Sequence, residues 1–381
     1  MRSLDQLLRK HILAVKPYSS ARSEYPTSDN TAPNTASAHT FLDANENAFG
    51  SPASLHVNRY PDPLQIQLKK RIAEIKGIPE DRINTIFLGN GSDEPIDLII
   101  RAFCEPMTDG VTETGDEIII TPPTYGMYEV SAAIHNVRLR RIPLVKTAGS
   151  NDASSNGAVF RLDADAVLNA VTPRTKVIFL CSPNNPTANL LETSDVERVL
   201  RGFDGIVVLD EAYIDFAAEH SFLPRLYTTP EVFPNLIILQ TFSKAWGMAG
   251  LRLGMAFARA EIIAVLNKIK PPYNINALAQ EAALNALQDA AWQKNVVVET
   301  LRERAFVQAE LAKYPFVRRI FPSDANFLLV EMDNAQDWYK RLLKANVIVR
   351  DRSSVALCED CLRITIGTKE ENMRLLGALN E

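Results

Sequence analysis

Two stretches decide the architecture: IVVLDEAY (206–213) and LIILQTFSKAWGMAGLRLG (236–254). Each opens on four consecutive apolar residues, without the alternation that a half-exposed strand shows. A short unbroken apolar run stopped by polar residues is the pattern of a strand buried on both faces of a parallel sheet. The same pattern recurs outward from these two. Strands are expected at Thr85–Leu88, Glu117–Thr121, Lys176–Cys181, Ile206–Asp210, Leu236–Gln240 and Leu253–Ala258. Amphipathic helical patterns lie between and after them, at Asp62–Lys76, Glu94–Cys104, Thr193–Gly202, Glu261–Lys268 and Ala277–Leu311. Strands separated by helix-length segments imply βαβ units, hence an α/β fold with a mostly parallel sheet and helices on both faces.

Pro271-Pro272 interrupts this pattern and the tail changes character. Strands are expected at Asn326–Glu331, Val347–Arg350 and Leu362–Ile366, with helices at Ala335–Ala345 and Glu370–Leu379. The expected division is an N-terminal arm with part of a small domain over 1–50, a large domain over 51–270 and a small α/β domain over 271–381. Residues 26–40 and 146–157 are small, polar and glycine- or proline-bearing, which reads as a mobile loop and a surface excursion.

Composition narrows the function. The 381 residues carry 41 Lys plus Arg against 46 Asp plus Glu, a net charge of −5. A surface that tracks nucleic-acid phosphates wants a basic excess, so nucleic acid is not the expected partner. No apolar run approaches the roughly 18 residues that cross a bilayer, and MRSLDQLLRKHILAV at the start lacks the continuous apolar core of a signal peptide. The expectation is a soluble, cytoplasmic chain that acts on small molecules. Four cysteines make no disulfide framework, and Cys358 and Cys361 form a single CxxC with no second ligand pair among the five histidines. Inert thiols are expected there, and no metal.

In an open α/β sheet, ligands collect at the carboxyl ends of the strands. Four polar clusters follow four of the apolar runs: Asp210 to Tyr213, SPNNPT (182–187), Ser243-Lys244 continuing to Arg252, and Gly91-Ser92-Asp93 opening a helix. Singly, each has an ordinary reading as a cap, a turn or a surface lysine. Together they meet the needs of pyridoxal 5'-phosphate (PLP): an amine for a Schiff base, a carboxylate that keeps the pyridine nitrogen protonated, and an anion cradle. Lys244 is the candidate amine and Asp210 the candidate carboxylate. Backbone N–H groups at Gly91, Ser92 and Asp93 suit a phosphate at a helix start, with the Ser243 hydroxyl and the Arg252 guanidinium adding to them. Asn185 and Tyr213 are placed to hydrogen-bond the ring's phenolic oxygen, and Tyr125, in PPTYG (122–126), is the candidate to stack on the ring face.

SPNNPT, LDEAY and SKAWGMAGLRLG in this order resemble the fold-type I, aspartate-aminotransferase-like PLP enzymes. The spacing of 34 from Asp210 to Lys244 and of 8 from Lys244 to Arg252 fits that resemblance, which spans essentially the whole chain. It implies a seven-stranded sheet in the large domain, Lys244, Asp210 and Tyr213 as the catalytic set, and Asn185, Tyr213, Ser92, Asp93, Ser243 and Arg252 around the cofactor. It also implies that Tyr60, in NRYPD (58–62), reaches the cofactor phosphate of a neighbouring subunit, which makes the chain a homodimer with shared sites.

A narrower resemblance rests on PYSSAR (17–22), LDANEN (42–47), RYPD (59–62), PPYNIN (271–276), VRDR (349–352) and LRITIGT (362–368). These look like the histidinol-phosphate aminotransferases. That resemblance implies transamination between L-histidinol phosphate and 2-oxoglutarate, giving imidazole acetol phosphate and L-glutamate in histidine biosynthesis. One site must then hold a carboxylate and, in the other half-reaction, a phosphate, and an arginine fork accepts either. Arg363 resembles the main anion clamp with Arg350 beside it, and Tyr18, Asn45, Glu46 and Tyr273, with Asn185, are the other substrate candidates. Their ordinary alternative is packing or turn chemistry. Ala188 stands where the family commonly has glycine, a change of little cost if its φ is negative. Trp246 and Ala48 also depart from the commoner phenylalanine and proline. An aromatic or broad-specificity aminotransferase and a threonine-phosphate decarboxylase are the rival enzymes. A regulator built on such a domain is disfavoured, because only about 40 residues precede Leu42 and carry no helix-turn-helix pattern.

Overall fold

The computed structural model describes residues 2–17, 40–53, 57–108, 114–147 and 159–380. In chain order its strands are β1 (Ile86–Asn90), β2 (Glu117–Ile120), β3 (Arg138–Arg141), β4 (Val145–Thr147), β5 (Val159–Arg161), β6 (Thr175–Cys181), β7 (Ile206–Asp210), β8 (Leu236–Thr241), β9 (Leu253–Phe257), β10 (Val317–Ile320), β11 (Phe327–Met332), β12 (Arg350–Asp351) and β13 (Cys361–Thr365). Seven of them form one sheet in the order β1-β9-β8-β7-β6-β2-β3. Strands β8, β7, β6, β2 and β3 run parallel, and β9 alone runs against both its neighbours.

Successive residues of the continuous apolar strands go to opposite faces, as the strand period demands. Ile206 and Val208 join one core with Ile237 and Leu239, whereas Val207 and Leu209 join the other with Leu236 and Ile238. Both cores are closed by helices, so every residue of these runs is buried. Each such aliphatic side chain contributes about 1.5–3 kcal/mol when fully removed from water. The edge strand β3, with sequence Arg-Leu-Arg-Arg, has no apolar run to announce it. Arg140 instead anchors it to the buried Glu117 of β2 at 3.1 Å, and a charged edge resists pairing with other chains.

The second sheet, of order β10-β11-β13-β12, is antiparallel throughout. Its Phe321 and Leu329 pack into one of the large-sheet cores, while Leu328, Val330, Leu362 and Ile364 face helices of their own layer. The N-terminal helices Leu4–Leu7 and Lys10–Ala14 put Leu7, Leu8 and Ile12 into the large-sheet core that holds Phe103 and Ile262, not against the small sheet.

Several element boundaries differ from expectation for local reasons. The helix expected from Asp62 begins at Ile66, because the Asp62 carboxylate accepts the Leu64 and Ile66 N–H groups at 2.8 and 2.7 Å and holds the preceding residues as a turn, with Gln65 in left-handed backbone as the N-cap. The pattern over 277–311 is two helices, Ala277–Ala286 and Ala290–Leu311, since Asp289 caps the second by accepting the Trp292 N–H at 3.0 Å. The strand expected over 347–350 reduces to Arg350–Asp351, and Ile348 stands exposed before it. Lys146 and Thr147, expected within a surface excursion, belong to β4, which pairs with β5; residues 148–157, and 26–39 of the expected mobile loop, lie outside the described residues. No described helix is long and apolar enough to cross a membrane.

Candidate active site

Because β6, β7 and β8 are parallel, their carboxyl ends meet at one edge of the sheet, and β9 starts from that edge in the opposite direction. Four polar clusters thus converge although they are spread from Gly91 to Arg252 along the sequence. They wall a cavity of about 660 Å³. Ser92, Asp93, Tyr125, Asn185, Asp210, Tyr213, Ser243, Lys244, Arg252, Arg350 and Arg363, all singled out from sequence, line it.

Asp210 is the last residue of β7 and only 2% exposed. Its Oδ2 accepts the Tyr128 hydroxyl at 2.6 Å and its Oδ1 the Ala212 N–H at 3.1 Å. Burial pushes its carboxyl up to about 6, and those two donors hold it from rising further. Lys244 follows β8, its Nζ 5.1 Å from the centre of the Tyr213 ring. Burial and then the Arg363 charge draw its ammonium below the ordinary lysine value. That change favours the free amine a nucleophile or base needs.

The opposite wall binds anions. Gly91 has φ +69°, and a Cβ there would stand 2.6 Å from Arg252 Nη2, so a side chain would collide with the guanidinium. The Gly91 N–H donates to the Arg252 carbonyl at 2.8 Å, and Ser92 leads into the helix Asp93–Phe103. Asp93 orients two neighbours: Oδ1 accepts the Tyr125 hydroxyl at 3.0 Å and Oδ2 accepts from Arg252 Nη2 at 3.3 Å. A serine pair, an arginine and a helix start are a donor set suited to a phosphate. A buried acid and a half-buried amine at the same cavity suit the ring nitrogen and the aldehyde carbon of PLP. The residues present therefore fit that cofactor.

A third group comes from the small sheet. Arg363 on β13 lies over the Phe327 ring at 5.3 Å and donates to Asn185 Oδ1. Asn185 in turn donates to the Tyr213 hydroxyl at 3.4 Å. Arg352, inside a quoted motif but given no role from sequence, also lines the cavity. Its Nε is buried with no hydrogen-bond partner among the described residues. Burial, then the charges of Arg363 and Arg350, pull its guanidinium below the ordinary value. Three guanidinium groups so close, with donors to spare, form an acceptor for an anion from solution.

Four of the expected site residues lie away from this cavity, and a fifth, Tyr18, is outside the described residues. Asn45, Glu46, Tyr60 and Tyr273 do not line the cavity of their own chain. Tyr60 stacks on Tyr273, ring centres 4.5 Å apart, and Glu46 accepts the Tyr60 N–H at 2.6 Å and an Arg59 N–H at 2.8 Å. These residues form a cluster beside the helix start, where Asn274 Nδ2 donates to Glu94 at 3.1 Å. Ala188 corrects another expectation: its φ is +69°, not negative. Left-handed backbone costs a residue with a Cβ about 1 kcal/mol, offset here by a methyl wholly buried beside Tyr213 and Phe327. Cys358 and Cys361 are free and buried, and burial raises both thiols, that of Cys358 to about 12.

The family model for aminotransferase class I and II matches residues 22–379. A histidinol-phosphate aminotransferase of Cytophaga hutchinsonii is 51% identical over 99% of this chain and 98% of its own length. Among solved structures, the histidinol-phosphate aminotransferase of Clostridium acetobutylicum superposes with a TM-score of 0.72 at 26% identity, covering 85% of this chain and 90% of that one. The enzyme of that name from Sinorhizobium meliloti, solved in complex with pyridoxal-5'-phosphate, gives 0.69 at 26% identity over 88% of each chain.

Proposed function

The chain belongs to the aminotransferase class I and II family and, within it, to the histidinol-phosphate aminotransferases, and we propose from this how its own residues divide a PLP-dependent transamination. The reaction exchanges the amino group between L-histidinol phosphate and 2-oxoglutarate, giving imidazole acetol phosphate and L-glutamate for histidine biosynthesis. The observation that carries the division is one cavity lined by the Lys244 amine, the buried Asp210 carboxylate and three arginines, 350, 352 and 363.

PLP, when bound, supplies an aromatic electron sink for the charge left at the substrate's α-carbon. Asp210 would keep the ring nitrogen protonated, Tyr125 would cover a ring face, and Asn185 and Tyr213 would face the phenolic oxygen. Ser92, Asp93, Ser243 and Arg252, with the backbone of Gly91, would hold the phosphate. Lys244 Nζ would take the proton from the α-carbon of the amino donor in one half-reaction and deliver one to the α-carbon of the keto acceptor in the other, acting as base and then acid. Its lowered pKa supports that role, because the free amine must be present near neutrality. Arg363, with Arg350 beside it, holds the glutamate carboxylate in one half-reaction and the substrate phosphate in the other. Asn185, bonded to Arg363, relays that grip toward Tyr213.

The proposed assembly is a homodimer in which the Tyr60–Tyr273 stack, with Asn45 and Glu46, serves the cavity of the second copy. Its support is that this cluster does not line its own chain's cavity while Leu42 and Phe49 beside it are 85% and 101% exposed. The test is a half-reaction panel. The PLP-loaded protein is mixed with histidinol phosphate, glutamate, phenylalanine and threonine phosphate, and the cofactor absorbance is followed. Conversion by the first two, with no release of carbon dioxide, is expected. Conversion by phenylalanine alone, or carbon dioxide from threonine phosphate, refutes the substrate assignment.

A further inference from the structure

Tyr128 lies on the helix Met127–Ile134 and is wholly buried. Three contacts fix it. Its ring stacks on Phe179 of β6, centres 4.8 Å apart and 17° from parallel. It stands nearly perpendicular to the Tyr125 ring, centres 5.7 Å apart and planes at 85°. Its hydroxyl donates to Asp210 Oδ2 at 2.6 Å. We propose that Tyr128 is a positioning residue for the reaction: its hydroxyl aims Asp210 and keeps it ionised, and its ring, packed across that of Tyr125, sets the attitude of Tyr125. The inference rests on the reading that Asp210 faces the cofactor's ring nitrogen.

The physical need is plain. A carboxylate taken out of water loses its charge unless donors replace the lost hydration. Asp210 has two donors, the Ala212 N–H and the phenol. The backbone donor is fixed by the chain, so the phenol is the one that sequence can vary. Burial and the neighbouring Asp210 raise the phenol's own pKa well above ordinary, so its proton stays on Tyr128 and the bond always runs toward Asp210. The other groups facing this pair divide: Asp93 works against ionised Asp210, Lys244 works for it, and Cys181 at the end of β6 faces both. The Tyr125 ring is held at two points, its hydroxyl by Asp93 and its plane by the near-perpendicular Tyr128 ring. A charge-assisted hydrogen bond of this kind shifts a carboxyl by about one pH unit or more.

The test measures the PLP dissociation constant of the full chain between about pH 5 and 9 by titration of the cofactor-free protein, in wild type, Tyr128→Phe, Phe179→Leu and Asp210→Asn. Tyr128→Phe keeps the ring and its stack. The pH below which binding fails is expected to rise by about one unit in Tyr128→Phe, from about 6, with binding roughly tenfold weaker near pH 5 and about twofold weaker near neutrality. Phe179→Leu is expected to lower thermal stability while leaving the pH midpoint in place. A Tyr128→Phe protein with the wild-type midpoint and affinity overturns the inference, as does Phe179→Leu shifting the midpoint equally. If Asp210→Asn loses binding while Tyr128→Phe does not, only this inference falls. If Asp210→Asn binds as wild type does, the parent reading falls and takes this one with it.

Discussion

Gly254→Ala adds one methyl to the strand β9, which lies between β1 and β8 with Gly89 and Thr241 as its cross-strand partners. The new Cβ would stand 2.4 Å from the Gly91 carbonyl carbon, 2.5 Å from the Ser92 nitrogen and 2.6 Å from the Gly91 oxygen. All three are backbone atoms, so no side chain can swing aside. Ordinary contact begins near 3.4 Å, which leaves about 1 Å to be found by moving main chain. Strand β9 is held on both sides, so the displacement falls on the Gly91–Ser92 turn. That turn carries the Gly91 N–H to Arg252 carbonyl bond of 2.8 Å and starts the helix at Asp93. Overpacking of this kind costs about 1–3 kcal/mol, and losing the hydrogen bond adds about 1 kcal/mol. A shift near 1 Å at a positioned group costs roughly a hundredfold in function. The expected outcome is a clear loss of thermal stability and PLP binding weaker by about two orders of magnitude, read by thermal unfolding and cofactor titration. Gly250→Ala is the control, because nothing lies within 4 Å of its Cβ and its φ is not positive. It should stay within about 0.5 kcal/mol of wild type. Gly254→Ala matching Gly250→Ala in both assays refutes the claim that this contact shapes the cradle.

Three further outcomes follow from the same geometry. Lys244→Ala should fold and bind PLP but lose turnover by at least about a thousandfold; near-normal turnover in single-turnover mixing removes Lys244 from the proton path. Arg363→Lys should not substitute, losing on the order of 10²-fold in kcat/KM because the planar fork that also holds Asn185 is gone, whereas Arg352→Ala should raise KM for the phosphate substrate about tenfold with kcat little changed. Equal kinetic effects of the two changes, or wild-type kinetics in either, contradict the division of labour. The third concerns pH. Burial raises Asp210 to about 6 in the folded chain, so the folded state holds that proton more tightly than the unfolded state does. Its contribution to stability is therefore full below the unfolded value and is lost as pH rises through the folded one. Without cofactor, Asp210→Asn should be more stable than wild type by on the order of 2–3 kcal/mol at pH 8, with the gap closing toward pH 4; a gap that widens on acidification shows the sign to be wrong.

How much was legible varies by element. Strands β6, β7 and β8 could be read because both faces of each are buried, which forces a continuous apolar run. Strands β3 and β10, Arg-Leu-Arg-Arg and Val-Arg-Arg-Ile, could not, because an edge strand tolerates charge wherever one side meets water. The cavity residues Asp210, Tyr213, Asn185 and Lys244 stood out because each lies in the polar break that ends an apolar strand, and Arg252 because it stands 8 positions beyond Lys244. Tyr128 gave no such signal: on a helix, three residues after Tyr125, a tyrosine reads as packing until its hydroxyl partner is known. The φ of Ala188 was equally invisible, since an alanine in left-handed backbone is a local cost that surrounding structure imposes. Cys358 and Cys361 were expected only to be inert thiols; that both are free and buried is a fact of tertiary packing.

Sequence alone determined the repeating alternation of strand and helix, the chemistry of the residues at the strand ends and the family they resemble, because these depend on side-chain type and near neighbours along the chain. Tertiary structure alone decided which of those residues share a cavity, that Arg352 joins them, that Tyr60 and Tyr273 face each other away from it, and that a phenol stands behind Asp210. The reason is that hydrogen bonds and charge interactions act over a few ångströms, and the 82 positions between Tyr128 and Asp210 become 2.6 Å only after parallel strands bring them side by side.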